Sequence, residues 1–318
     1  MPKIIELKEI KSLVKELDII AAMKEGFIQY SNGNTVVPPV GELIFKDPPG
    51  DVHIKYGYIK DQDHYVIKIA SGFYNNAQLG IPTGQGMMLL FDQKTGELVA
   101  TLLDEGYLTN IRTVAAGALA ALSFAPQQVK AVGIVGTGTI AKLQIQLLEQ
   151  INFCDTIWLW GRDQAKVQQL ISELGDDINI RSAANCKELV QYTNVIITTT
   201  PAESPLLHTD DVTAGTVIVA IGSDTHTKQE LDSKILEKAD LVIADSISQC
   251  KSRGEIHQAL KAGVITEDKV VELGNALQDH KWQRSSDEQI IVVDLTGVAV
   301  QDIMIASAVY SKYINKNA

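Results

Sequence analysis

Midway along the chain a five-residue apolar run, Ala131 to Val135, leads without a break into Gly136-Thr137-Gly138-Thr139-Ile140-Ala141 and then into an amphipathic stretch over residues 139–150. This is the G-x-G-x-x-A form of the dinucleotide fingerprint. Each small residue has a mechanical reason. Gly136 permits a tight turn, Gly138 lets the backbone approach a pyrophosphate, and Ala141 lets the helix lie close to the strand. The anion then meets a helix N-terminus, where unpaired N–H groups and the helix dipole favour negative charge. An ordinary glycine-rich strand-to-helix turn is the plainer alternative. A second apolar run at 156–160 completes a strand–helix–strand unit and favours the fingerprint.

The same rhythm continues. Apolar runs at 194–198, 216–221, 241–244 and 290–293 follow, and helical patterns occupy 164–174 and 228–237. Uninterrupted apolar runs suit strands covered on both faces. Residues 126–297 are therefore expected to form a doubly wound parallel sheet of Rossmann type, α/β in class. Before Pro126 the pattern differs. Helical stretches at 7–14 and 18–30, the second with Asp18 as N-cap, precede strand-length segments at 35–45, 51–59, 65–71, 87–92 and 98–103, and a helix at 108–124 leads out. Residues 1–125 thus read as a separate α+β domain, completed by a last helical segment within 298–318.

With 28 Lys and Arg against 39 Asp and Glu, the formal charge is -11, so a phosphate backbone would meet net repulsion and no nucleic-acid partner is expected. The longest small-apolar stretch, 114–125, falls short of the run of about 20 that a bilayer helix needs, and no membrane partner is expected. Charges scattered through the first residues argue against a signal peptide, which makes the cytoplasm the expected location. Cys154, Cys186 and Cys250 are odd in number and widely spaced, so neither a disulfide framework nor a metal site is expected. A nucleophile elbow and a P-loop lysine motif are also missing.

At the end of the second strand, where an acid would hold the ribose hydroxyls, the sequence reads Trp160-Gly161-Arg162-Asp163. A guanidinium at 162 suits a 2′-phosphate and tips the balance to NADP(H) over NAD(H), whereas Asp163 would restore the acidic partner if the register moved by two residues.

Cations also appear where the pattern calls for apolar residues. Lys68 interrupts Val66, Ile67, Ile69 and Ala70; Lys55 shares a strand face with His53 and Gly57; Arg112 lies in a helix otherwise made of small and apolar residues. Together they point to an anionic ligand of carboxylate type, with Arg112 best suited to a bidentate grip. The alternative is that each reaches solvent or pairs with Asp104 or Glu105. Asp224 follows the run at 216–221, at the carboxyl end of a parallel strand, where an acid is well placed for proton transfer. Capping a helix at Lys228 is its plainer role, although Thr225 and Thr227 are nearer to that duty.

The stretches VIKIASGF, LLDEGYLTNIRTVAAGALAA, VGIVGTGTIA, VIITTTPAESPLL, VAIGSDTHTKQELD, SRGEIHQAL and VVDLTGVAVQDIMIA resemble the ornithine cyclodeaminase and mu-crystallin family over almost the whole chain. The resemblance implies a Rossmann domain joined to a substrate and dimerisation domain, and a homodimer. It implies that Lys68 and Arg112 hold a substrate carboxylate, with Lys68 among the catalytic residues, and that Asp224 is the general acid/base. Gly136, Thr137, Gly138, Thr139 and Ile140 would cradle the pyrophosphate, and Thr199 and Thr200 would line the cofactor. Gly41 stands where many members carry an arginine after the proline. Lys55 is the cation that would replace it, which counts against ornithine as substrate. Imine reduction or amino-acid dehydrogenation is then the leading expectation, redox-neutral cyclodeamination the alternative, and a non-catalytic NADP-dependent binding protein a third.

Overall fold

The computed structural model of the chain describes residues 1–175 and 177–317. It divides into two compact units, Met1–Arg112 with Val298–Ala318, and Thr113–Gly297.

The first unit is a seven-stranded sheet in the order Lys3–Glu6, Leu98–Leu103, Gly84–Asp92, His64–Phe73, Pro49–Ile59, Thr35–Val36, with Gly41–Lys46 also paired to Pro49–Ile59. Only the Lys3–Glu6 pairing is parallel. Alternate residues on its strands, among them Ile59, Val66, Met88, Leu90 and Leu102, are buried, as a sheet with one covered face requires. The helices Leu7–Val14, Ile19–Ser31 and Ala299–Asn317 supply Leu13, Phe27 and Ile303 to this core. Asp18 caps the second helix, accepting from the amide of Ala21 at 2.9 Å. The last helix falls in this unit.

The second unit is an eight-stranded parallel sheet in the order Ile180–Ser182, Ile157–Trp160, Val132–Val135, Val195–Thr198, Val217–Ala220, Ile291–Asp294, Leu241–Ala244, Val270–Glu272. The order reverses between Val132–Val135 and Val195–Thr198, which makes their carboxyl ends the switch point where such sheets open a crevice.

Three expectations need correction. The segment 35–45 is two strands, Thr35–Val36 and Gly41–Lys46, because Pro38 and Pro39 have no N–H to give a ladder. The helix expected at 228–237 is a strand, Gln229–Leu231, followed by the helix Ser233–Lys238, with Asp232 accepting from the amide of Lys234. The compact units divide inside the helix Tyr107–Phe124 and not at Pro126. The small residues of that helix explain why its second part goes with the second unit: a Cβ at Gly117 would lie 2.6 Å from both Gln144 and Ile221.

Candidate active site

In the second unit, the turn after Val132–Val135 holds Gly136 at φ +125°, a backbone conformation that glycine alone adopts freely, and a Cβ there would run into the Thr199 hydroxyl. Gly138 has open space where a side chain would be. It is the N-cap of Thr139–Gln150, and no side chain caps that helix. The first N–H groups are therefore left for an anion, which is the cradle a pyrophosphate needs.

A cavity of about 400 Å³ opens here, lined by Gly136, Thr137 and Gly138 on one side, by Arg162 and Lys166 on another, and by Thr199 and Thr200. Thr139 lines the adjoining hollow with Lys142 and Lys166. Gly161 stands where an acid is usual because a Cβ would lie 2.5 Å from Thr137 and 3.2 Å from Val167. Asp163 is spent on its own helix, accepting from the amides of Ala165 at 3.0 Å and Lys166 at 3.4 Å. That leaves two cations, Arg162 and Lys166, at the end of the second strand. Lys166 lies in the first turn of the helix that Asp163 caps, Gln164–Leu174.

Thr199 and Thr200 line this cavity with their hydroxyl hydrogens already engaged. Thr199 donates to the carbonyl of Val135 at 3.0 Å, and Thr200 donates to Glu230 at 2.7 Å. They line the cavity as shaped wall. Asp224 follows the strand Val217–Ala220 in a loop, half-exposed, its carboxylate paired with Lys228 Nζ. It is not among the residues lining the 400 Å³ cavity, and the helix it was a candidate to cap does not exist.

In the first unit, the three predicted cations gather, though not as free groups. Lys55 and Lys68 are direct register partners on neighbouring strands, and both are buried. Lys68 Nζ lies 3.3 Å from Asp302, and Arg112 Nε lies 3.1 Å from the other oxygen of the same carboxylate. Arg112 Nη1 also donates to Gln301 at 2.9 Å. Of the alternative partners, Asp104 acts on Lys68 while accepting from the amide of Leu108 at 2.8 Å, and Glu105 is an exposed turn residue at φ +53°. Burial pushes the Asp302 carboxyl up, but Lys68, Arg112 and Lys55 outweigh it and hold it below the usual carboxylate range. Burial lowers Lys68 from the ordinary lysine value, and Asp302 only partly restores it. Three cationic side chains thus surround the buried Asp302 carboxylate, and the buried Asp104 also acts on Lys68. Asp302 and Gln301 carry a sequence signal of their own: adjacent polar residues in the otherwise apolar stretch 298–306 that opens the Ala299–Asn317 helix.

The chain matches the model of the ornithine cyclodeaminase/mu-crystallin family over residues 2–317. It is 35% identical to an uncharacterized cyclodeaminase of Sinorhizobium fredii, over 98% of this chain and 95% of that one. Among solved structures it is similar to an archaeal alanine dehydrogenase dimer with bound NAD, at TM-score 0.91 and 31% identity, covering 100% of this chain and 97% of that one. It is also similar to the iminosuccinate reductase of Paracoccus denitrificans in complex with NAD+, at TM-score 0.89 and 27% identity, covering 99% and 97%.

Proposed function

The chain belongs to the ornithine cyclodeaminase/mu-crystallin family, and from that premise we propose that it is an NAD(P)-dependent oxidoreductase acting at the α-carbon of a small amino or imino acid, as an imine reductase or amino-acid dehydrogenase. The observation that carries this reading is the buried cluster in which Lys68 and Arg112 share Asp302 with Lys55 beside them. Such a cluster accepts a carboxylate without exposing it to water, where charge-assisted hydrogen bonds are strongest. A bound nicotinamide supplies or takes the hydride. The chain's own residues do the rest. Lys68, Lys55 and Arg112 orient the carboxylate and hold positive charge beside it, and Asp224, held by Lys228, delivers or removes the proton on the reacting nitrogen.

Arg162 and Lys166 support NADP(H) as the cofactor, since two cations at the ribose end suit a 2′-phosphate and an acid there is occupied in capping. The reading also takes the protein to be a homodimer. The face of the first sheet opposite its buried side chains carries Tyr56, Ile67 and Leu89 in register, with Tyr58, Tyr65 and Phe91 beside them and Tyr65 stacked on Phe91 at 4.8 Å. An apolar face of this extent suits a second copy of the chain, and light scattering checks it. The three cysteines are free, which supports a cytoplasmic setting.

The reading is tested by incubating the protein with NADPH or NADH and a panel of keto acids with ammonia or methylamine, cyclic imino acids and ornithine, while following the absorbance of the reduced nicotinamide. Loss of absorbance with NADPH and an imino acid is the expected result. Proline formed from ornithine with no net change in cofactor would establish the cyclodeaminase instead, a reading that similarity to the Sinorhizobium cyclodeaminase favours. No turnover with any of them would leave the non-catalytic binding protein.

A further inference from the structure

One densely bonded side chain in the second unit has no part in the chemistry above. Glu230, on the strand Gln229–Leu231, is fully buried. One carboxylate oxygen accepts from the Thr200 amide at 2.6 Å and the Thr200 hydroxyl at 2.7 Å. The other accepts from the Thr198 hydroxyl at 2.7 Å and the Gly222 amide at 2.9 Å. The four donors come from the carboxyl ends of two adjacent parallel strands, Val195–Thr198 and Val217–Ala220. Those ends touch, since a Cβ at Gly222 would run into the backbone of Thr200. Glu230 is itself pinned: its amide and that of Leu231 donate to Glu255 at 2.7 and 3.1 Å, and the helix Gly254–Lys261 that carries Glu255 is anchored by Ile256 donating to Asp294 at 2.8 Å.

We propose that Glu230 is a positioning residue for the dinucleotide cavity, its ionised carboxylate bracing two strand ends so that the wall formed by Thr199 and Thr200 keeps the shape that receives the cofactor. The inference rests on reading that cavity as a dinucleotide site. Only a carboxylate can do this. Its two oxygens accept all four donors, whereas a glutamine would turn an NH2 group toward two of them. Protonation has the same effect as amidation, because a neutral carboxyl carries a hydrogen where a donor now points. Burial pushes Glu230 up to about 7, against the pull of its four donors. Two other titratable groups couple to it: Glu255, pushed up to about 8 by burial, and the Cys186 thiol, pushed up to about 12. Ionised and neutral forms of Glu230 therefore exchange near neutral pH, and the wall is firm on the alkaline side.

The test is the affinity of the full-length protein for NADH, followed by nicotinamide fluorescence from pH 6 to 8.5. NADH is chosen because it lacks a 2′-phosphate that would titrate in the same range. Wild-type protein is expected to bind about tenfold more weakly at pH 6 than at pH 8. Glu230→Gln should bind weakly at every pH. Thr198→Val, which keeps the shape of the core and removes a single donor, should move the midpoint upward by about 0.5 to 1 pH unit, and it decides the matter if Glu230→Gln does not fold. Wild-type binding with an unchanged profile in Thr198→Val would overturn the brace alone. No binding of either NADH or NADPH by wild-type protein at any pH would overturn the brace and the dinucleotide reading together.

Discussion

The Asp302 carboxylate lies 3.3 Å from Lys68 Nζ, with both side chains almost wholly buried, and its second oxygen is the partner of Arg112. A buried acid of the last helix thus holds two cations in place before any ligand arrives. Removing it leaves Lys68 and Arg112 buried without the carboxylate they share. Asp302→Ala is expected to cost about 3–5 kcal/mol in urea unfolding, with part recovered when Lys68→Met is added. A loss under about 1 kcal/mol would show that the pair does not organise the cluster.

Arg162 and Lys166 line the cavity at the end of the second strand, and Asp163 caps the helix beside them. Arg162→Ala and Lys166→Ala should each weaken NADPH binding about tenfold, the value of one lost charge-assisted hydrogen bond, and leave NADH within about twofold. Calorimetric titration with both dinucleotides reads the difference. Equal losses for the two would remove the 2′-phosphate from the account.

Asp224→Asn keeps the size of the side chain and loses the charge that pairs with Lys228. Turnover should disappear while dinucleotide affinity stays near wild type, since Asp224 does not line the cavity that Gly136 and Thr199 share. Preserved turnover would take the proton-transfer role away from it.

Glu230 and Glu255 bear on stability as well. Both are raised by burial above the ordinary carboxylate value, to about 7 and about 8, so the folded state binds more protons than the unfolded one between about pH 4.5 and 8. Stability must then fall as pH rises through that window. The melting temperature without cofactor should decline from pH 5 to 8.5, and Glu255→Gln should flatten the decline. An equal slope in that variant would contradict the assignment.

The parallel sheet was legible because its strands are fully covered and therefore read as unbroken apolar runs, and the fingerprint was legible because Gly136, Gly138 and Ala141 each answer a steric demand. The cations were legible because Lys68 and Arg112 interrupt apolar patterns. Their partner was not, since Asp302 lies 190 residues from Arg112 in sequence, and pattern within a segment says nothing about which distant acid will meet it. Glu230 was hidden for a related reason. The segment after Asp224 carries a helix-like pattern, yet Gln229–Leu231 pairs with Glu203–Leu207 as a strand, and that pairing turns an apparently exposed acid into the interior. Lys3–Glu6 escaped notice because Ile5 alone is buried in it.

The proposed chemistry moves a hydride between a nicotinamide and the α-carbon of an amino or imino acid. It is tested most directly by turning the protein over with an imino acid and NADPH carrying deuterium at C4, and locating the label in the product by mass spectrometry and NMR. One deuterium is expected on the α-carbon, from one face of the nicotinamide, and no labelled product when Arg112 or Asp224 is replaced. Product without deuterium at that carbon, or no product from any imino acid tried, would contradict it.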